Sequence, residues 1–228
     1  MKYIRKNIEP PDFINWKNQQ KSLGVNFNYK SFQHPQKKIV KESLLREQGY
    51  ICCYCCRKIN QENSHIEHFL PQSKTDDNLA LDYHNMLSSC GPYDIQEQKE
   101  QEKLDQKKQV WPEHCGNVRK NTSLPISPLD MDCETYFAYT QMGEIIPSYR
   151  EDHLKKAENT ISLLSLNNAE LRLKRLGVLE GILDGIEDLT IEEAQQLLKY
   201  YQNFDKNGHY QSFCVAIIYF LKQYFNIN

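Results

Sequence analysis

The chain has 228 residues, 28 Lys and Arg against 30 Asp and Glu, and a formal net charge of -2. That balance excludes a uniformly basic nucleic-acid coat but leaves room for local positive patches that meet phosphates, and the length suits one domain with an appendage or two small domains. The longest apolar run, FCVAIIYFL at 213 to 221, is about half a membrane span, so no membrane segment is expected.

The opening MKYIRKNIEPPDF lacks the apolar stretch of a signal peptide, which predicts a cytoplasmic location. Residues 36 to 48, QKKIVKESLLREQ, carry Ile39, Leu44 and Leu45 among many charges and predict one exposed helix stopped by Gly49 at its C′ position. YICCYCCRKI then reads as two short strands over a tight turn. SHIEHFL reads as a strand ended by Pro71. DYHNMLSSC suggests a helical turn or short helix leading to Cys90, and the polar DIQEQKEQEKLDQKKQ suggests a solvated helix or mobile loop.

CETYFAYTQMGEIIP at 133 to 147 has the pattern of a hairpin turning at Gln141 to Gly143. From about 151 the chain reads as a small helical bundle, with capping boxes expected at Asn167 with Glu170 and at Thr190 with Glu193. Leu171, Val178, Leu179, Ile182 and Leu183 form one apolar stripe, and Phe213, Ile217, Phe220, Leu221 and Tyr224 another; both are expected to be core faces. The expected division is an arm and helix over 1 to 49, a core that holds the cysteine and histidine motifs with the hairpin over 50 to 150, and a helical domain over 151 to 228.

Eight cysteines in a reducing compartment point to zinc rather than to disulfides. A structural zinc takes four tetrahedral ligands, commonly two thiolate pairs from distant segments. CCYCC offers the first pair in two registers, Cys52 with Cys55 or Cys53 with Cys56, of which the first is preferred because Tyr54 then precedes the second ligand. Cys90 and Cys115 make the second pair across the long polar insert, which loop-closure entropy tolerates. Cys133 and Cys214 lie in apolar surroundings and read as buried small hydrophobes.

In HIEH, Glu67 offers a hard oxygen for magnesium or manganese and His68 a general base for water. His65 shares a strand face with Glu67 and is a candidate ligand or phosphate contact, whereas His68 points to the other face unless the strand ends or bends. Asn85 and Asn117 are further candidates, with Arg119 and Lys120 near enough to Asn117 to meet phosphate. Lys37, Lys38 and Lys41, and Arg172, Lys174 and Arg175, form basic clusters that read as solvated helix faces before backbone contacts.

Together C-x-Y-C at 52 to 55, H-x-E-H-x-x-P at 65 to 71, Y-x-N-hydrophobic at 83 to 86, Cys90, and C-G-N-x-x-K at 115 to 120 resemble the HNH endonucleases. With the opening MKYIRKNIEPP, the FAYTQMGEIIP hairpin and ISLLSLNNAELRLKR, the chain is similar to the PtuB-type nuclease subunits of Septu anti-phage systems. The resemblance implies an α+β fold: a ββα-metal core with a treble-clef zinc, an N-terminal helix and a C-terminal helical bundle. It implies His68 as general base, Glu67 and Asn117 as ligands of a catalytic magnesium or manganese, Asn85 as a brace, and zinc on Cys52, Cys55, Cys90 and Cys115.

Gly116 separates Asn117 from Cys115, where many relatives have the asparagine directly after the cysteine, so His114 stays open as its substitute. The implied partners are nucleic acid, most simply DNA, and a PtuA-type ATPase. The competing reading is a non-catalytic zinc module that binds nucleic acid or protein, and a third puts His65 or His68 among the zinc ligands. Glu67→Ala is expected to spare the fold and abolish cleavage only if the chain is a nuclease.

Overall fold

The computed structural model describes residues 1 to 91 and 113 to 227, so the expectation for the polar insert lies outside the described residues. The first half is organised around two antiparallel strands, β1 (Ser64–His68) and β2 (Met86–Cys90), in a register that sets Ser64 against Cys90 and His68 against Met86. The helical turn or short helix expected to lead into Cys90 is a 3₁₀ turn at Tyr83–Asn85, capped by Asp82 accepting from His84 N, after which the chain extends as a strand. The reason is burial on both faces. Met86 packs into one apolar cluster and Leu87 into another, a division that strand alternation achieves and a single helical stripe does not.

Helix α1 (Pro11–Ser22) starts with proline at N1 and buries Phe13 and Trp16. Helix α2 (Gln36–Glu47) is not the exposed helix the charges suggest: Val40, Leu44, Leu45 and Glu47 are buried against α1 and β2. Buried Glu47 is paired with Lys6 and also accepts from Asn7 N and the Tyr83 hydroxyl, which ties the N-terminal arm down. Gly49 ends the helix at φ +60, and a Cβ there would stand 2.6 Å from both Phe204 and Tyr210. Of the two strands expected around CCYCC, only the Ile51 to Lys58 bridge forms, because the tight turn, closed by Cys56 N donating to Cys52 O at 3.0 Å, uses the residues between them.

The hairpin has the expected position: β3 (Phe137–Tyr139) pairs with β4 (Ile145–Pro147), and Gly143 N donates to Thr140 O in the turn. Two short helices follow the strands in the chain: α3 (Asp77–Ala80) lies between β1 and β2, and α4 (Gly116–Arg119) comes after β2. The C-terminal part holds α5 (Glu151–Leu163), α6 (Ala169–Leu183), α7 (Ile191–Gln202) and α8 (Cys214–Phe225). Thr190 and Glu193 form both halves of a capping box, as expected. The other cap is one residue later than expected: Asn168 accepts from Leu171 N, while Asn167 brackets Ile145 through its N (2.9 Å) and O (2.8 Å) and so fastens the start of α6 to β4.

Leu171, Leu179, Phe213, Ile217 and Leu221 are buried, and they share one continuous cluster with Ile4, Cys52 to Cys56, Cys90 and Cys115. A smaller cluster joins Phe13, Trp16, Phe32, Val40 and Leu44 to Ile66, Tyr83 and Met86. The CCYCC turn thus rests on the C-terminal helices, and β1 rests on the N-terminal arm. No helix among the described residues is long and apolar enough to cross a membrane.

Candidate metal centre and histidine site

Cys52, Cys55, Cys90 and Cys115 are all buried, and their sulfurs lie within 4.8 Å of one another. A zinc with four thiolates at about 2.3 Å puts its sulfurs about 3.8 Å apart, and the Cys55 to Cys90 separation is 3.5 Å, too long for a disulfide. Backbone amides already point at these sulfurs: Cys90 N donates to Cys52 Sγ and Arg57 N to Cys55 Sγ, each at 3.4 Å. Burial pushes the Cys52 thiol up, but hydrogen bonds from Cys115, Cys53, Cys55 and Cys90 outweigh it and bring it well below the ordinary range. Four buried sulfurs brought together from separate segments are a donor set that fits a soft tetrahedral cation such as zinc.

The first register of the turn therefore supplies the cluster, and the second does not. Cys53 and Cys56 are buried too, but they are not members of the four-sulfur group. Cys133 and Cys214, each raised to about 12 mainly by burial, are the small hydrophobes their surroundings suggest. Neither His65 nor His68 is a member of the four-residue group.

On β1 the alternation operates as strand geometry requires. His65 and Glu67 share a face, with His65 Nε2 3.2 Å from Glu67 Oε2. The other carboxylate oxygen, Oε1, accepts from the Tyr54 hydroxyl at 3.0 Å and from Arg119 Nη1 at 2.5 Å. Arg119 is 1% exposed and also donates to the carbonyls of Thr122, His68 and Phe69. It is a clasp between α4 and the end of β1, so the phosphate contact suggested by the sequence does not hold for it. Because this guanidinium depends on Glu67, Glu67→Ala would strand a buried charge; Glu67→Gln is the substitution that spares the fold.

His68 ends β1 with both ring nitrogens engaged. Nε2 is 2.9 Å from the Ala80 carbonyl, which can only accept, so Nε2 carries the proton. Nδ1 is then the basic nitrogen, and it accepts from the side-chain amide of exposed Gln72 at 3.1 Å. Burial holds the His68 imidazole below its ordinary range, which keeps this lone pair free of a proton at neutral pH. Tyr29, from the N-terminal arm, meets the His68 ring edge-on at 4.7 Å and 82°. Its phenol is pushed up to about 12 by burial and then by the Glu67 charge.

Asn85 is buried and braces the chain after β1: Oδ1 accepts from Leu70 N at 2.8 Å, and Nδ2 donates to the carbonyls of Leu70 and Leu79. Gly116, at the start of α4, faces the His65 and Glu67 pair; a Cβ there would stand 2.5 Å from Glu67 Oε2 and 2.7 Å from His65 Nε2. Asn117 is half-buried, and its side chain makes no hydrogen bond to a described residue. His114 is engaged elsewhere: Nδ1 lies 3.1 Å from Cys115 Sγ and Nε2 3.8 Å from Glu170 on α6.

The sequence reading did not single out Tyr29, Gln72 or the role of Gly116. Only Gly116 carried a visible signal, as the residue that interrupts the expected Cys-Asn adjacency; Tyr29 and Gln72 reach His68 through tertiary packing and a turn that no motif encodes.

No family model matches the chain. Among curated proteins it is similar to "Retron Vc95 putative HNH endonuclease" of Vibrio cholerae serotype O1 biovar El Tor, with 30% identity over 151 residues, 64% of this chain and 66% of the relative. The chain thus spans slightly under two thirds of that relative's length. The likeness is a distant one, to a protein whose printed name is that of an HNH endonuclease.

Proposed function

We propose that the chain is a metal-dependent HNH endonuclease that hydrolyses phosphodiester bonds of nucleic acid, most simply DNA, on a ββα-metal core built from β1, β2 and α4. The observation that carries this reading is the state of His68: its tautomer is set by the Ala80 carbonyl, its imidazole is held neutral, and its basic Nδ1 is capped only by an exposed glutamine side chain that water can replace. Glu67 and His65 supply the oxygen and nitrogen for magnesium or manganese, with Asn117 as third ligand. His65 Nε2 and Glu67 Oε2 already stand 3.2 Å apart, and it is the bare backbone of Gly116 that lets α4 approach them so closely. When bound, such an ion stabilises charge on the phosphate and on the leaving oxygen.

The chain's own residues do the rest. Arg119 and Tyr54 hold Oε1 and so aim Oε2 at His65. Asn85 holds the turn that carries Gln72 and Ala80 around the base. His68 takes the proton from the attacking water at Nδ1, and zinc on the four cysteines pins β2, the CCYCC turn and α4 together.

We further infer, from the sequence resemblance, that the nuclease is the effector of a two-component anti-phage system with a PtuA-type ATPase in the cytoplasm. Support for the nuclease half comes from the Vibrio relative, named as the endonuclease of a retron. A second reading draws on the fact that Glu67 and His68 are fully partnered within the chain: a zinc module that binds nucleic acid or protein without cutting.

The test is incubation of wild type and His68→Ala with plasmid DNA and with RNA, in magnesium or manganese, with and without the ATPase. Cleavage by the wild type alone, with equal zinc in both proteins, supports the nuclease; inactivity of both under every condition leaves the zinc module.

A further inference from the structure

Three segments build the histidine site from within the core, and a fourth reaches it from outside. Residues 29 to 37 cross from the N-terminal arm to the end of β1. Tyr29 packs its ring on Phe32 at 5.7 Å, and Phe32 sits among Phe13 and Trp16, so the ring that touches His68 is fixed by an aromatic cluster rather than by a loop alone. Over the Tyr29 ring, 5.1 Å from its centroid, stands Nζ of Lys37 from the first turn of α2.

The three lysines of this helix have different fates. Lys41 is committed to the carbonyls of Gln61 (2.5 Å) and Ser64 (2.6 Å), and Lys38 is exposed. Lys37 is half-buried and has no ion pair among the described residues; an aromatic face is its recorded neighbour. An ammonium partly withdrawn from water without a carboxylate loses solvation that a ring returns only in part, and it favours an incoming anion. Its charge also acts on His68, adding to the burial that lowers that imidazole.

We propose that Lys37 is the phosphate contact of the His68 site, presented on the Tyr29 platform by the N-terminal arm. The proposal rests on the nuclease reading and assigns it a substrate-binding residue outside the motif: the ammonium meets a non-bridging oxygen of the phosphodiester, whose negative charge grows as water attacks.

The test uses the zinc-loaded full chain as wild type, Lys37→Met, Lys37→Arg and Lys30→Met, the last an exposed lysine that controls for lost charge. Cleavage of a labelled duplex in manganese gives kcat/KM. Binding of the same duplex, with calcium in place of manganese and the His68→Ala change in each protein, is followed against salt. Lys37→Met is expected to lose roughly 10- to 100-fold in kcat/KM and to lower the salt slope by about one. Lys37→Arg is expected to recover most of both, and Lys30→Met to stay within about twofold of wild type. Equal melting temperatures and zinc contents establish that the fold is intact.

Wild-type cleavage with an equally active Lys37→Met overturns the Lys37 assignment and leaves the nuclease reading standing. If the wild type cuts neither DNA nor RNA, in either metal and with or without the ATPase, the nuclease reading fails, and binding still decides Lys37: a reduced salt slope supports it as a phosphate contact, whereas an unchanged slope or no binding overturns it.

Discussion

The ring of His68 and the carbonyl of Ala80 stand 2.9 Å apart, and this one contact decides which imidazole nitrogen is basic. With Nε2–H spent on the carbonyl, Nδ1 faces the amide of Gln72. His68→Ala is expected to lower kcat by about 10²- to 10⁴-fold, the range of a lost general base, while zinc content is unchanged. Gln72→Ala removes only the cap on Nδ1, so its kcat is expected to stay at or above that of wild type. Steady-state cleavage of a duplex checks both; a Gln72→Ala protein as inactive as His68→Ala would show that the glutamine is part of the chemistry.

Gly116 is buried against the side chains of β1, and no side chain fits there without displacing Glu67 or His65. Gly116→Ala is expected to destabilise the fold by about 1 to 3 kcal/mol, the usual cost of overpacking, and to weaken manganese binding at least tenfold. Zinc is expected to remain, because Cys115 is held separately by its own amide donating to Leu164 O at 2.9 Å. Calorimetric titration with manganese, alongside a zinc assay, distinguishes the two metals; full manganese affinity in this variant would remove the pair from the catalytic site.

Much of this was legible in the chain. CCYCC and two later cysteines predicted the cluster, and period-two alternation predicted that His65 and Glu67 share a face while His68 does not. The Thr190 box and the apolar stripes of α6 and α8 could be read because they depend on spacing within one element, although Tyr224, expected in the second stripe, is exposed. What escaped depends on which element packs where. The strand at Met86–Cys90 exists because its two faces meet different clusters, and α2 buries a face because α1 and β2 cover it. Arg119 looked like a surface cation, yet it is buried because four carbonyl and carboxylate partners and a phenol converge on it from distant positions.

The doubled cysteines allow a clean test of register. Cys52→Ser, Cys55→Ser, Cys90→Ser and Cys115→Ser are each expected to lose zinc and with it the cooperative unfolding transition, since a structural zinc contributes about 10 to 16 kcal/mol in small zinc domains. Cys53→Ser and Cys56→Ser are expected to keep one zinc per chain, at a cost of about 1 to 3 kcal/mol for a buried hydroxyl without a fitted partner. Metal analysis of the six purified proteins decides. Zinc lost from Cys53→Ser and kept in Cys52→Ser would reverse the register.

The cysteine cluster is also tied to the C-terminal helices through Glu170. Its carboxylate meets Arg57 Nη1 at 3.2 Å, beside the turn whose amide donates to Cys55, and faces His114 Nε2, whose other nitrogen lies against Cys115. Arg57, His114 and Glu170 are all buried, so Glu170→Ala leaves a buried guanidinium without this counter-charge. The expected loss is about 3 to 5 kcal/mol, the cost of breaking a buried pair from one side, with faster release of zinc to a chelator as the turn and α6 part. Exposed Glu192 in α7 is the control, and Glu192→Ala is expected to change stability by no more than about 0.5 kcal/mol. Urea unfolding followed by helix signal, together with zinc release timed by a chromophoric chelator, measures both effects. Equal stability of the two variants would mean that the C-terminal helices merely abut the cluster and do not hold it.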